Sequence, residues 1–313
     1  MRRSEVYSLS SILFICGVCL NGCSGSLDLK RSYAGFDNDF PDALPKVFAK
    51  KYLAPAQEFV GYGRFDPLTG DFYYSVTNEN WFPSRLYRIS LGKSPELLHL
   101  VSNTWEGEPV FTPEHQLVIT AIKDPDNGSI WQADLYRLQR DNSRWVNPSR
   151  LPDAINSAAS EWNASYASNG NFYFSSERKK GTSALHGDLY FAQYTNGKLL
   201  IEELPMGINT EYNDSDPMIA PDESFLVFHS NRPGGFGEHD LYVSFKSEVG
   251  WSEPQNLGGD INTSGWEMAP SLTLDGKYLL FTWRAAMVTK TPSEIRWVNI
   301  DVLKPFKEKA LEN

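Results

Sequence analysis

The sequence predicts an all-β chain, a single β-propeller of four-stranded blades. Three observations lead there. One pattern occurs twice, 53 residues apart, from Pro217 to Phe228 and from Pro270 to Phe281: an extended start, a tight turn, then an apolar run. The same spacing continues towards the N-terminus, with matched positions at 109, 164, 217 and 270 and a first unit near residue 64. Between these landmarks lie short runs rich in aromatic and β-branched residues, with no helical period. A β unit recurring every ~40–55 residues cannot bury both of its faces alone, so neighbours stack until a ring closes. Five units are visible; a sixth blade results only if the segment before them and the tail after them combine into a degenerate one.

The start of the chain lies outside this repeat. Arg2-Arg3 precede an apolar run from Leu9 to Leu20, followed by Asn21-Gly22-Cys23. A basic start, a short apolar stretch and small residues at a cleavage point are the marks of a secretory signal over residues 1–22. The run is too short to cross the ~30 Å hydrocarbon core as a mature helix. Leu20-Asn21-Gly22-Cys23 resembles the bacterial lipobox, which implies cleavage before Cys23 and lipidation of its thiol. Ser24-Gly25 follow with no Asp beside the cysteine, and by the same resemblance this implies sorting to the outer membrane. The other two cysteines, Cys16 and Cys19, fall inside the signal, so a processed chain keeps Cys23 alone and has no disulfide scaffold.

Residues 23–57 read as a lipidated cysteine and flexible tether, rich in Ser, Gly, Asp and Asn and interrupted by Pro41, Pro45 and Pro55. Val47-Phe48-Ala49 and Tyr52-Leu53 fit either a short helix or a closing strand. The propeller is expected over residues 58–303. Its first unit has strands at Phe59–Phe65, Phe72–Val76, Leu86–Ile89 and Leu97–Val101, with the turn Asp66-Pro67-Leu68-Thr69-Gly70-Asp71 between the first two. The second unit starts at Trp105 and runs through Leu117–Thr120, Asp134–Arg137 and Trp145–Pro148. The third has Phe172–Ser175, Asp188–Phe191 and Leu199–Leu204. The fourth and fifth are the duplicated stretch, with Glu294–Val298 standing in the fifth for the Asp-Leu-Tyr strand. Residues 304–313 are a polar tail with Lys304, Lys307 and Lys309.

These units resemble the WD40-like PD40 repeats of the TolB type. The matching residues are Pro221-Asp222, Leu274-Asp275-Gly276-Lys277, Phe228-His229-Ser230-Asn231-Arg232, Pro233-Gly234-Gly235-Phe236-Gly237, Asp240-Leu241-Tyr242-Val243-Ser244 and Trp251-Ser252-Glu253-Pro254. The resemblance covers residues 214–284 most closely. It implies a propeller of the periplasm or cell envelope. The N-terminal domain of TolB has no counterpart here, and function does not follow from the fold.

With Lys+Arg 29 against Asp+Glu 39, the net charge of −10 argues against nucleic acid, whose phosphates would be repelled. One constellation stands out. An acid lies three residues before each matched position: Glu106, Glu161, Asp214 and Glu267. At the start of the innermost strands these would ring one mouth of the channel and bind a peptide, sugar hydroxyls or a cation. No other cofactor or metal is expected. Alternatively each acid holds backbone N–H groups of the next blade, and its repetition at equivalent sites favours this; the first unit lacks the acid, so the ring is broken there. Trp105, Trp162 and Trp266 are the candidate mouth aromatics. Axial acids also raise glycoside hydrolysis, but an acid and base need environments that separate their pKa values, and equivalent positions provide no such asymmetry.

Other residues fit structural roles better. Asp134, Asp188 and Asp240 open matched strands, with Arg178 and Arg232 upstream, and fit contacts tying strands together. His186 and His239 sit at different offsets, which argues against a shared metal site. Asp124-Pro125-Asp126-Asn127-Gly128 lacks the calcium-loop spacing and reads as a turn. No nucleophile elbow, zincin motif or P-loop occurs. The expectation is an envelope lipoprotein anchored through Cys23, whose non-catalytic propeller binds a protein or peptide. The alternative is a carbohydrate-active propeller that binds or cleaves glycans.

Overall fold

The computed structural model describes residues 33–53, 58–78, 83–123, 132–179, 187–285 and 293–311. Five antiparallel sheets form a five-bladed propeller. In chain order, β1 (Lys46–Val47) belongs to the last blade, and blade 1 follows as β2 (Phe59–Phe65), β3 (Phe72–Thr77), β4 (Arg85–Ile89) and β5 (Glu96–Leu98). Blade 2 is β6 (Thr104–Phe111), β7 (Leu117–Lys123), β8 (Ala133–Asp141) and β9 (Arg144–Arg150). Blade 3 is β10 (Glu161–Tyr166), β11 (Phe172–Ser176), β12 (Asp188–Thr195) and β13 (Lys198–Glu203). Blade 4 is β14 (Asp214–Ile219), β15 (Phe225–Ser230) and β16 (Asp240–Ser247), with an outer edge split by Pro254 into β17 (Gly250–Trp251) and β18 (Gln255–Asn256). Blade 5 is β19 (Trp266–Leu272), β20 (Tyr278–Arg284) and β21 (Glu294–Asn299), completed by β1.

The innermost strands β2, β6, β10, β14 and β19 touch one another in a closed circuit. Blades stacked this way cover both faces of their second strands. β3 and β11 are therefore buried along their whole length, which explains why these strands read as continuous apolar runs rather than alternating ones.

Residues 33–53 are not a free tether. β1 pairs with β21 through Lys46↔Trp297 and Val47↔Arg296, and the Phe48 N–H donates to the Ile295 carbonyl at 2.8 Å. Tyr33, Phe36 and Phe48 are buried in one cluster with Phe65, Phe72 and Trp297, where Phe48 lies 5.1 Å from Phe72 and 5.2 Å from Trp297 between ring centroids. Three prolines exclude a long element but not a two-residue strand, so composition alone hid this role. Residues 1–32, with the expected signal and Cys23, and residues 54–57 lie outside the described residues. The C-terminal tail also departs from expectation. After a 3-10 turn (Ile300–Leu303) it forms α1 (Lys304–Leu311), with Phe306 and Ala310 packed against the core between blades 4 and 5. With the N-terminal segment in blade 5 and the tail helical, neither adds a sixth blade.

Candidate functional site: the inner strands and the channel axis

Each inner strand carries a bulge. The pairing register shifts between Gly61 and Arg64, Gly107 and Val110, Trp162 and Ala164, Ser215 and Met218, and Met268 and Ser271. In four blades a residue there takes positive φ: Tyr62 (56°), Glu108 (53°), Asp216 (55°) and Ala269 (50°). A bulge re-aims its side chain, and here it separates two sets of polar residues.

The first set is the predicted ring. Glu106, Glu161, Asp214 and Glu267 are all buried, and each binds the loop leading into its own strand. The Asp214 carboxylate accepts from the Thr210 N–H (2.7 Å), the Thr210 hydroxyl (2.6 Å) and Arg232 Nη2 (2.7 Å). Glu161 repeats this with the Ser157 N–H (2.8 Å), the Ser157 and Ser176 hydroxyls (both 2.7 Å) and Arg178 (3.3 Å). Glu267 accepts from the N–H and hydroxyl of Thr263, and Glu106 from the N–H groups of Leu100 and Val101. The ring expectation is therefore corrected. These carboxylates are staples of the scaffold, because a buried acceptor must be satisfied and the loop N–H groups are nearest. The signal was present: Ser157, Thr210 and Thr263 each stand four residues before their acid. Burial pushes Glu106 and Glu161 up despite these bonds, and raises Glu267 to about 7.

The arginines expected beside the Asp-Leu-Tyr strands belong instead to these staples. Arg178 lies over Phe174 and Tyr190 and Arg232 over Phe228 and Tyr242, the same construction in consecutive blades. Asp134 pairs with Arg150 (2.8 Å), and Asp240 accepts from the N–H groups of Phe236 and Gly237 and from Asn256. That loop needs its glycine, since a Cβ on Gly235 would lie 2.1 Å from Asp240 Oδ2. His186 and residues 124–128 lie outside the described residues.

The second set went unrecognised in the sequence. At the bulges, backbone N–H groups reach a matched site on the second strand of the preceding blade. Tyr62 donates to Thr282 (3.0 Å), Glu108 to Ser75 (2.9 Å) and Asp216 to Ser175 (2.9 Å). Two carboxylates complete the circuit. Glu108 Oε2 accepts from the Thr120 hydroxyl (2.6 Å) and the Asn163 N–H (2.7 Å). Asp216 Oδ2 accepts from the Ala269 N–H (3.0 Å) and meets His229 Nδ1 at 3.2 Å. Arg64 lies among them, donating to the carbonyls of Gly63 (3.1 Å) and Ala269 (3.5 Å).

Their electrostatics differ. Burial, then the Asp216 charge, raises Glu108 to about 7 against the bonds from Thr120 and Asn163 and the charge of Arg64. Burial also acts upward on Asp216, but the His229 charge and bond, with Asn163 and the Ala269 N–H, outweigh it and hold the acid below its usual range. Burial depresses Arg64 to about 10 although Asp216 and Glu108 oppose it. Burial, then His229, lowers His239 to about 3, so that ring is neutral against His229 (centroids 4.8 Å apart). The asymmetry absent from the staples thus exists two residues further along. Its cue was slight: Glu108 and Asp216 each directly precede a proline.

A pH dependence follows for Glu108. Its folded pKa of about 7 exceeds the ordinary 4.5, so between these values the folded chain keeps a proton that the unfolded chain releases. Stability therefore falls as pH rises from about 4.5 to about 7 and levels off above, with Glu267 adding the same sign. Glu108→Gln removes its share, up to about 3 kcal/mol, so the variant gains stability over wild type at about pH 8 relative to about pH 5. Urea unfolding at the two pH values checks this; equal differences at both would contradict it.

Trp105, Trp162 and Trp266 stand half-buried where the inner strands begin. Trp105 and Trp266 occupy matched positions, one residue before their acids, whereas Trp162 follows its acid and lies two pairs further in, opposite Ser175. The indole N–H of Trp162 donates to Glu177 (3.3 Å) and that of Trp266 to Glu238. Among the described residues no group of three or more His, Cys, Asp or Glu could hold a metal ion. An open cleft of about 590 Å³ lies elsewhere, between blade 4 and α1, lined by Arg232, Pro233, Tyr242, Pro254, Phe306 and Lys309.

No family model matches the chain, and no curated protein matches its sequence. Solved structures do resemble it. A protein assigned as TolB from Agrobacterium tumefaciens is 17% identical, with a TM-score of 0.50 and 78% of each chain covered. An α-L-arabinofuranosidase from Lactobacillus brevis is 11% identical over 79% of this chain and 93% of the other, with a TM-score of 0.49. A protein of unknown function from Dyadobacter fermentans is 8% identical over 82% and 97%, with a TM-score of 0.48. The likeness to the first is one of fold, and the chain carries a TolB-like five-bladed propeller.

Proposed function

We propose that this chain is an envelope lipoprotein, anchored through Cys23 at the outer membrane, whose propeller binds a protein or peptide and catalyses no reaction. The observation that carries this reading is the state of the carboxylates. Those at the strand starts are bonded into the scaffold, and the two on the axis are held by neighbouring blades. An open concave surface lies instead beside α1. Its prolines and aromatic rings suit an extended peptide, for which main-chain contacts and a few apolar pockets provide recognition. The anchor rests on Leu20-Asn21-Gly22-Cys23.

Capture of a partner from envelope extracts by wild type and by Phe306→Ala/Lys309→Glu tests the cleft. The double variant, altered at two residues of the C-terminal helix, is expected to lose at least about tenfold of the captured partner. Capture at the wild-type level would remove the cleft from consideration. Labelled palmitate should enter wild type but not Cys23→Ala.

A second reading has one observation in its favour. Glu108 and Asp216 are two carboxylates with ionisation driven apart, the condition for an acid and base pair acting on glycans. Against it, Asp216 is only 4% exposed and both groups are engaged within the ring.

A further inference from the structure

The outer edges of the five blades are not equally protected. A sheet edge offers unpaired N–H and C=O groups, and proteins guard such edges with short strands, prolines or breaks. Among the described residues, β5 spans three residues and β1 two, β9 contains Pro148, and Pro254 lies between β17 and β18. β13 has no proline, break or shortening, and its charged side chains, Lys198, Glu202 and Glu203, stand only at its two ends. It runs for six residues, Lys198-Leu199-Leu200-Ile201-Glu202-Glu203, in unbroken register with β12, and it is the last strand of its sheet. Leu200 on this strand and Tyr194 beside it are 44% and 64% exposed.

We propose that β13 pairs antiparallel with β13 of a second copy, joining two blades into one eight-stranded sheet about a two-fold axis at Leu200. The hairpin fixes which backbone groups are free. Thr195↔Lys198 closes a two-residue turn in which Asn196 and Gly197 both have positive φ (52° and 74°). In such a turn the flanking residues exchange both hydrogen bonds, so Lys198, Leu200 and Glu202 turn their backbone groups towards β12. Those of Leu199, Ile201 and Glu203 point outward.

A two-fold axis perpendicular to the sheet pairs only residues of the same face. Centred on Leu200, it sets Leu199 against Ile201 of the second copy as a hydrogen-bonded pair. Leu200 meets Leu200, and Lys198 meets Glu202, on the exposed face. Each of these pairs is apolar with apolar or cation with anion, and Glu203 falls opposite Gly197 of the turn. A slip to an axis at Ile201 would instead oppose Leu200 to Glu202 and Leu199 to Glu203. A slip to Leu199 would oppose Lys198 to Leu200. Cross-strand complementarity therefore selects one register and one partner, a second copy of this chain.

The test uses the full chain in detergent and reads its mass by sedimentation. Wild type is expected to dimerise. Lys198→Glu and Glu202→Lys each turn both symmetry-related ion pairs into like-charge contacts and should weaken the dimer at least about tenfold. The double variant Lys198→Glu/Glu202→Lys restores opposite charges and should recover the dimer. Leu200→Cys, on the axis, should crosslink under oxidation beyond the wild-type background, and Glu202→Cys should not. A wild type that stays monomeric at all concentrations overturns the proposal, whether or not the edge receives another protein. A dimer indifferent to the single reversals, or one the double variant fails to recover, overturns it equally. None of these readouts depends on the cleft or on Cys23.

Discussion

Asp214→Ala is expected to lower the unfolding free energy by about 3–5 kcal/mol. Arg232 Nη2 lies 2.7 Å from a carboxylate that is completely buried, and the side chain of Arg232 is itself only 15% exposed. Removing the acid leaves that guanidinium facing the carbonyls of Gly207 and Ile208 without a counter-charge, and leaves the Thr210 N–H without its acceptor. Glu161→Ala should cost a similar amount, since Arg178 stands in the same place. Glu106→Ala should cost less, about 1–3 kcal/mol, because only the backbone N–H groups of Leu100 and Val101 are left unmade. Urea unfolding with an unchanged denaturant slope checks the order. Losses below about 1 kcal/mol at Asp214 and Glu161 would show that the acids are not staples.

Phe48→Ala should cost about 3–5 kcal/mol, although it lies in a stretch whose composition suggests a tether. Its ring is fully buried and touches Phe65, Phe72 and Trp297, so it joins blade 1 to blade 5. Backbone pairing of β1 covers only two residues, so closure of the ring depends on this aromatic cluster rather than on hydrogen bonds. Hydrogen exchange should accelerate first at the amides of β1 and β21. Uniform acceleration across all blades would mean that Phe48 contributes to the core generally and not to the seam.

The repeat was legible because blade stacking imposes the same demands on every unit. A turn at Pro221-Asp222-Glu223 or Leu274-Asp275-Gly276 must join an inner strand to a second strand buried on both faces, and both features leave marks in the chain. The N-terminal closure was not legible. Tyr33, Phe36, Phe40 and Phe48 follow no strand or helix period, because they pack from irregular backbone onto Trp297, Tyr278, Phe65 and Phe72. The site was legible in part. Repetition found the four strand-start acids but could not tell a mouth from a loop, because the bulge that decides this is a matter of φ. Glu108 and Asp216 look in sequence like further polar residues before a proline. Only the positive φ at each, with Thr120, Asn163, His229 and Ala269 around them, makes them partners across blades.

That pair also decides between binding and catalysis. Glu108→Gln keeps an acceptor for Thr120 and Asn163 and removes the proton that an acid catalyst would donate, so the fold should persist while any hydrolysis is lost. The decisive measurement is reducing-end release from a panel of polysaccharides by wild type beside Glu108→Gln. A non-catalytic binding propeller predicts no release above buffer from either protein. Release by wild type that falls at least about a hundredfold in Glu108→Gln would contradict it and make the axis an active site.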